Sequence, residues 1–546
     1  MSRFRLPITD RARALAADLS IRQLLLQVAT PALVHLDPER LDGYGGIFLH
    51  GSTQEERDTI LARLRPLCPV PPFVVADIEY GPRDLPPELG VEFGTMMCHR
   101  VADDPELTRA IGKVNGLISR ARGFTWSLGP CVDLSADPDS PMVSVRSPGS
   151  DPGRAATIAW AFAEGMQESG MLATAKHFPG DGFGTLDQHL TTPINPLSRE
   201  AWWAGPGLTF QRMIDSGIRA IMPGHIAMPA FDAVDPAMGI PPPASLSRRM
   251  LTELLKEEMG FDGLIVSDAV NMTGFCGFMN YYDACARFLE AGGDVVLFAK
   301  IDERYFQEMD RCLREGLLTE ATLRDRATRI IAMKEFIGLL DEPAAPPAPD
   351  LAALNLPALA EQLVAKSVGV LRDRQNLLPV SIEQTTRVLH VILCNDYQRQ
   401  KELLGTFTAL LRQRSDAVTE WVDPGCDRLF EAARDGAFDL IICSVGCPIE
   451  YGANVIRLHG PVARNMMYGW MRLGVPTVFV AHDHPYLHWE YEAAIDCCLA
   501  TFGSNRYSLE HLVQGLVGEV SLPAVALERA AGGCVGMQRS PVPWLR

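Results

Sequence analysis

Residues 175–190 read AKHFPGDGFGTLDQHL, a stretch that gathers Lys176, His177, Asp181, Asp187 and His189 among glycines too frequent for a regular helix. Asp187 and His189 are two apart, and in extended backbone such residues point the same way, so the carboxylate can hold the imidazole N–H. That pairing fixes the tautomer, stabilises an imidazolium and suits a ring that gives and recovers a proton near neutrality. Two other readings stand beside it. One is a surface histidine with a casual acidic neighbour. The other is a metal set of His177, Asp181, Asp187 and His189, although the spacing matches no regular zinc pattern and an adjacent lysine disfavours a cation. A phosphate-cradling loop is weaker, because neither GxGxxG nor GxxxxGK[ST] is present.

The elements around this stretch say where such groups would stand. Short β-rich runs at 45–50, 73–79, 124–134, 172–178, 220–225, 263–268 and 295–298 alternate with helical patterns such as DPELTRAIGKVNGLISRARG. Strand–helix alternation over this length predicts a TIM-type (β/α)8 barrel. Most of the runs end on a polar group: His50, Asp77, Asp133, Lys176 with His177, His225 and Asp268. Barrel strands are otherwise apolar, so ionisable groups at their carboxyl ends mark that face as the site. Asp268 closes GLIVSD, where an ionised carboxylate is costly without a purpose, though a helix N-cap would also use it.

Residues 341–358, DEPAAPPAPDLAALNLPA, read as an extended linker between a catalytic barrel (1–340) and a smaller α/β sandwich domain (359–546). The strands expected after it, 368–373, 388–396, 438–445, 476–483 and 495–503, predict an open parallel sheet with helices on both faces. The histidine-rich AHDHPYLHWEYE (481–492) is expected to be a loop at a sheet end. A net charge of −17 disfavours nucleic acid or an anionic membrane as a partner. No run of about 18 apolar residues occurs, and the amino terminus lacks a signal-peptide core. Thirteen scattered cysteines without C-x-x-C pairs predict free thiols, and with them a cytoplasmic location.

KHFPG followed by D-x-H resembles glycoside hydrolase family 3, in its bacterial β-N-acetylglucosaminidase branch. GFDGLIVSDAVNM (260–272) is similar to the family's nucleophile segment, with ASLSRRMLTELLKEEMGFDG (244–263) as its lead-in. VRSPGSDP (145–152) and AKSVGVLRDRQNLLPV (365–380) resemble further family segments, in family order. The resemblance implies Asp268 as nucleophile, His189 as acid/base and Asp187 as its orienting partner, with the glycine-rich loop closing over substrate. It implies sugar binding by Asp77, Arg146, Lys176 and His177, with His225 as a wall of the site. Three departures fall near the implied pocket: Asp181 where the branch has histidine, Pro148 where an aromatic is common, and DIEYGPR, which leaves the match of Arg83 open by one residue.

The expected activity is therefore that of a retaining exo-β-N-acetylglucosaminidase. It would act on a small-molecule glycoside or oligosaccharide, as a monomer or homodimer, with no metal or other cofactor. The rivals are a phosphate-dependent β-glycoside phosphorylase, a β-glucosidase-like enzyme of specialised metabolism and a catalytically idle sugar-binding protein.

Overall fold

The computed structural model describes the chain except residues 1–2, 37–40, 50, 82–92, 342–349, 351–352, 396, 450, 453–455 and 528–546. His50, Arg83 and most of the 341–358 linker thus lie outside the described residues.

Eight parallel strands close a barrel: β1 Ala29–Thr30, β2 Gly46–Phe48, β3 Phe73–Ala76, β4 Trp126–Ser127, β5 Thr174–Phe178, β6 Ala220–Pro223, β7 Leu264–Ile265 and β8 Val296–Leu297. Hydrogen-bonded ladders join β2-β3-β4, β5-β6-β7 and β1-β8. Parallel bridges close the seams: Ala32 with Phe48, Trp126 with Leu172, Cys131 with Lys176, and Val266 with Val295. The fold class is the expected one, with a further strand, β1, that has two residues and no sequence signature.

The helices between strands begin where the chain supplies caps. Asp104 caps Pro105–Ala121 through the Leu107 N–H, and Asp151 caps Pro152–Glu168 through the Arg154 N–H, each with proline as the first helical residue. The Asp-Pro of VRSPGSDP therefore starts a helix, which leaves Arg146 free to face the barrel mouth.

The second unit is a six-stranded sheet in the order β11-β10-β12-β13-β14-β9. Its strands are β9 Gly369–Asp373, β10 Val388–Cys394, β11 Val418–Val422, β12 Leu440–Gly446, β13 Thr477–Ala481 and β14 Cys497–Ala500. Successive residues of a strand join opposite cores, the period-2 signature of a sheet covered on both faces. Val388, Ile442 and Val480 pack with Phe407, Leu411 and Leu512 on one face. Leu389, Cys443 and Phe479 pack with Leu429, Ala433 and Trp470 on the other.

The sheet differs from the wholly parallel expectation, because β9 runs antiparallel to β14. β9 is a partly exposed edge carrying Arg372 and Asp373, and such charged edges discourage pairing with another chain.

The two units are pinned together. Thr95 Oγ1 donates to the Phe502 carbonyl at 2.6 Å, Ser135 Oγ and Tyr486 Oη are 2.5 Å apart, and Lys366 pairs with Asp104 at 2.5 Å. The histidines of AHDHPYLHWEYE are dispersed: His482 bonds Ser444 and Ser504, and His488 bonds the Pro485 carbonyl. All twelve cysteines among the described residues are free. No helix among them is long and apolar enough to cross a membrane.

Candidate active site

A cavity of about 190 Å³ opens at the carboxyl ends of the barrel strands. Asp77 (after β3), Lys176 and His177 (in β5), Asp268 (after β7), Arg146 and His189 all line it. Residues separated by up to 191 positions thus converge, because each stands at the same end of its strand or on a loop above that end.

Glu79 organises one wall of the cavity. Arg146 donates to it twice, from Nε at 2.8 Å and from Nη2 at 2.7 Å, while Lys176 Nζ lies 2.8 Å from Glu79 and 3.1 Å from Asp77. Burial alone would raise the Glu79 pKa, but the two cations outweigh it and hold the carboxyl well below its usual range. Burial likewise opposes the charge of Lys176, and Asp77 with Glu79 reverse that effect and raise its pKa. Glu79, Lys176 and Arg146 thus hold their charges, and with Asp77 they make four groups able to bond strongly to hydroxyls.

His177 faces Asp268. Its Nδ1 is 2.6 Å from Asp133 Oδ2, and its Nε2 is 3.7 Å from Asp268 Oδ2. Asp268 is mostly buried, which alone would raise its pKa. His177, Lys176 and the Ala269 N–H (2.8 Å) together lower it instead, so the group is a carboxylate near neutrality.

Asp187 and His189 form the expected dyad. Asp187 Oδ1 accepts the His189 backbone N–H at 2.8 Å and lies 2.7 Å from its Nδ1, which leaves Nε2 as the ring atom free to exchange a proton with a ligand. Asp187 is wholly buried behind the ring. Burial pushes its pKa up, and the bonds from His189 and the Gly452 N–H bring it below the ordinary value.

The start of the loop that carries the dyad is anchored by hydrogen bonds and close packing. Asp181 N–H donates to Asp133, Asn195 Nδ2 to the Gly180 carbonyl, and Trp202 Nε1 to the Pro179 carbonyl. Gly182 has φ +88°, and a Cβ there would fall 2.2 Å from the Leu134 carbonyl oxygen. The glycine serves close packing. Farther on, Thr273 N–H and Gly274 N–H donate to the His189 and Gln188 carbonyls, which ties the dyad to the segment that follows Asp268.

His225 departs from its expected role as a wall of the site. It is fully buried and is not among the cavity-lining residues. Its Nδ1 is 2.8 Å from Ser245 Oγ and its Nε2 is 3.1 Å from the Ala269 carbonyl, so neither ring nitrogen is left for a sugar. Burial lowers its pKa to about 4. It is a neutral brace under the backbone next to Asp268.

Two site residues, Glu79 and Tyr451, were missed in the sequence, and a third, Asp133, was seen but given no role. Glu79 lies in the DIEYG segment, where Asp77 drew attention. Asp133 was visible as a strand-end acid. Tyr451 carried no signal, since it reaches the cavity from the second unit. Asp181 is buried, its Oδ2 has no hydrogen-bond partner, and burial with the nearby Asp133 charge raises its pKa to about 6.

Among the described residues, the one group with ligand-like spacing is Cys131, Asp133 and His177, whose donor atoms lie within 4.8 Å of one another. Burial, followed by the Asp133 charge, pushes the Cys131 thiol pKa well up, so it stays protonated and Asp133 is engaged by His177. This set is a poor metal site.

The sequence matches the glycosyl hydrolase family 3 N terminal domain over residues 43–333. A relative from Cellulomonas fimi, named β-N-acetylglucosaminidase/β-glucosidase, is 29% identical over 517 residues, covering 88% of this chain and 89% of that protein. A β-hexosaminidase of Pseudomonas aeruginosa (strain LESB58) is 37% identical over 177 residues, 32% of this chain and 50% of that protein. Among solved structures, a β-glucoside phosphorylase bound to 2FGlc aligns with a TM-score of 0.86 at 24% identity, over 96% of this chain and 98% of that one. A family 3 β-N-acetylglucosaminidase from Paenibacillus sp. str. FPU-7 aligns with a TM-score of 0.77 at 21% identity, over 92% and 98%. At these identities the two structures speak to the fold.

Proposed function

The chain belongs to glycosyl hydrolase family 3, whose members act on O-glycosyl bonds, and from that premise we propose that it is a retaining exo-β-N-acetylglucosaminidase. The observation that carries the mechanism is the convergence of an ionised Asp268 and an Asp187-held His189 on one cavity. In the first step a carboxylate oxygen of Asp268 bonds to the anomeric carbon as the bond to the leaving oxygen breaks. His189 Nε2 gives that oxygen its proton, and Asp187 stabilises the ring while it is an imidazolium. In the second step His189 Nε2 takes a proton from water, whose oxygen bonds to the anomeric carbon and releases Asp268. Two inversions retain the β configuration.

The small cavity supports removal of one terminal sugar, with Lys176, Arg146, Asp77 and Glu79 on its hydroxyls and Leu128, Met222, Met272 and Leu297 as apolar wall. The Cellulomonas relative's name supports N-acetylglucosamine as the sugar, with glucose as its competitor.

One observation favours a second reading. The acid/base facing the cavity is an imidazole, and its carboxylate partner is wholly buried, so an incoming phosphate would meet little like charge. A panel of aryl β-glycosides, N-acetylglucosaminide and glucoside included, assayed with and without phosphate, separates the two. Free sugar at a phosphate-independent rate supports the hydrolase. Sugar 1-phosphate formed only with phosphate supports the phosphorylase. No turnover of either glycoside would contradict both.

A further inference from the structure

Both members of the dyad are held from outside the barrel. Gly452, in the segment after β12, donates its backbone N–H to Asp187 Oδ2 at 2.7 Å, while Oδ1 serves His189. The neighbouring Tyr451 lays its ring over the His189 imidazole, with centroids 4.8 Å apart and planes inclined by 30°. Tyr451 is 53% exposed and lines the cavity. Gly452 has φ +83°, a conformation other residues rarely take, which aims its N–H at the carboxylate. The contacts between Thr95 and Phe502, Ser135 and Tyr486, and Arg457 and Asp139 hold the second unit in register for this grip.

We infer that Tyr451 and Gly452 form a clamp from the second unit that positions the barrel's proton donor, with Tyr451 acting as a positioning residue through its ring face. The imidazole is partly exposed and has one side-chain bond, at Nδ1, so that bond alone resists turning of the ring about Cβ–Cγ unless a surface lies against its face. Tyr451 is that surface. A flat aromatic contact also favours the ring when it carries charge. The clamp ties leaving-group protonation to the docked state of the two units. The inference rests on His189 being the acid/base.

The test compares Tyr451→Ala, Tyr451→Phe and His189→Ala in the full chain, on a dinitrophenyl β-glycoside and a methyl β-glycoside of whichever sugar is accepted. The activated phenol leaves without a proton, and the methyl glycoside needs one. The expected result for Tyr451→Ala is a kcat/KM loss of roughly 10- to 100-fold on the methyl glycoside, with kcat/KM on the activated one, which reports only the first step, within about twofold. Tyr451→Phe, which keeps the ring face, should stay close to the parent on both. Equal losses on both substrates, a change in KM alone, or a Tyr451→Phe variant as damaged as Tyr451→Ala would overturn the clamp. If His189→Ala itself loses equally on both substrates, the acid/base assignment fails. If His189→Ala discriminates and Tyr451→Ala does not, the clamp alone fails.

Discussion

Asp133 holds His177 by backbone and ring together: its two oxygens accept the His177 N–H at 3.0 and 3.1 Å, and Oδ2 accepts Nδ1–H at 2.6 Å. Burial would raise the Asp133 pKa, yet His177 and the Asp181 N–H lower it below the ordinary carboxyl value. The acceptor is therefore ionised and directs Nδ1–H inward, which leaves Nε2 facing Asp268 at 3.7 Å. The dyad at Asp187 and His189 repeats this plan with the ring turned to the leaving group. In the proposed mechanism one carboxylate–imidazole pair stands beside the nucleophile and the other supplies the proton.

Glu79→Ala should be costly to stability as well as to binding. It removes the shared partner of Lys176 and Arg146, both 5% exposed, and leaves two cations in a buried wall. Breaking a buried pair costs about 3–5 kcal/mol. Urea denaturation should show a loss of that size, and a change under about 1 kcal/mol would contradict the role given to Glu79.

Asp187→Asn should leave the fold intact and impair the acid. Asparagine cannot stabilise an imidazolium and can present its amide N–H to Nδ1, which favours the wrong tautomer. The expected loss of kcat/KM on unactivated glycosides is roughly 10²- to 10⁴-fold, with kcat/KM on activated aryl glycosides much less affected. Steady-state kinetics on the two substrate classes check this, and equal losses would count against the dyad.

Asp181 makes stability depend on pH in a predictable direction. Its pKa is raised from 3.8 to about 6, by burial first and by the Asp133 charge second. Between those values the native chain binds more protons than the unfolded one, so this group's contribution to stability falls as pH rises from about 4 to 6. Above that window the native state carries the whole cost. Asp181→Asn should therefore become increasingly more stable than the parent across the window, reaching on the order of 2 kcal/mol at pH 7. Urea midpoints of both proteins at pH 4, 5, 6 and 7 measure the difference, and a pH-independent difference would contradict the assignment.

How legible all this was depends on whether a residue's partners are local. Seven of the barrel strands could be read because each is an apolar run, six of them ending on a polar group. β1 could not, since Ala29–Thr30 are two residues after a helix. β11, VTEWV, escaped because its partly exposed edge position leaves no apolar run to see. Asp268, Asp187, His189, Lys176, His177, Asp77 and Arg146 were all picked out, and all but Asp187, which backs His189, line the cavity. His225 shows the limit of strand-end reasoning: residue type and position do not tell whether ring nitrogens face a ligand or the Ser245 and Ala269 braces. Tyr451 shows a deeper one, because only the docking of the second unit brings it to His189.

The central claim is that Asp268 forms the covalent bond to the sugar. Incubation with a fluorinated mechanism-based aryl glycoside, followed by peptide mass spectrometry, tests it most directly. The account predicts one sugar adduct per chain on the peptide containing Asp268, absent in Asp268→Ala, whose turnover should fall by roughly 10⁴-fold or more. An adduct on Asp77, Glu79 or another residue, or an Asp268→Ala variant that keeps parental turnover, would contradict it.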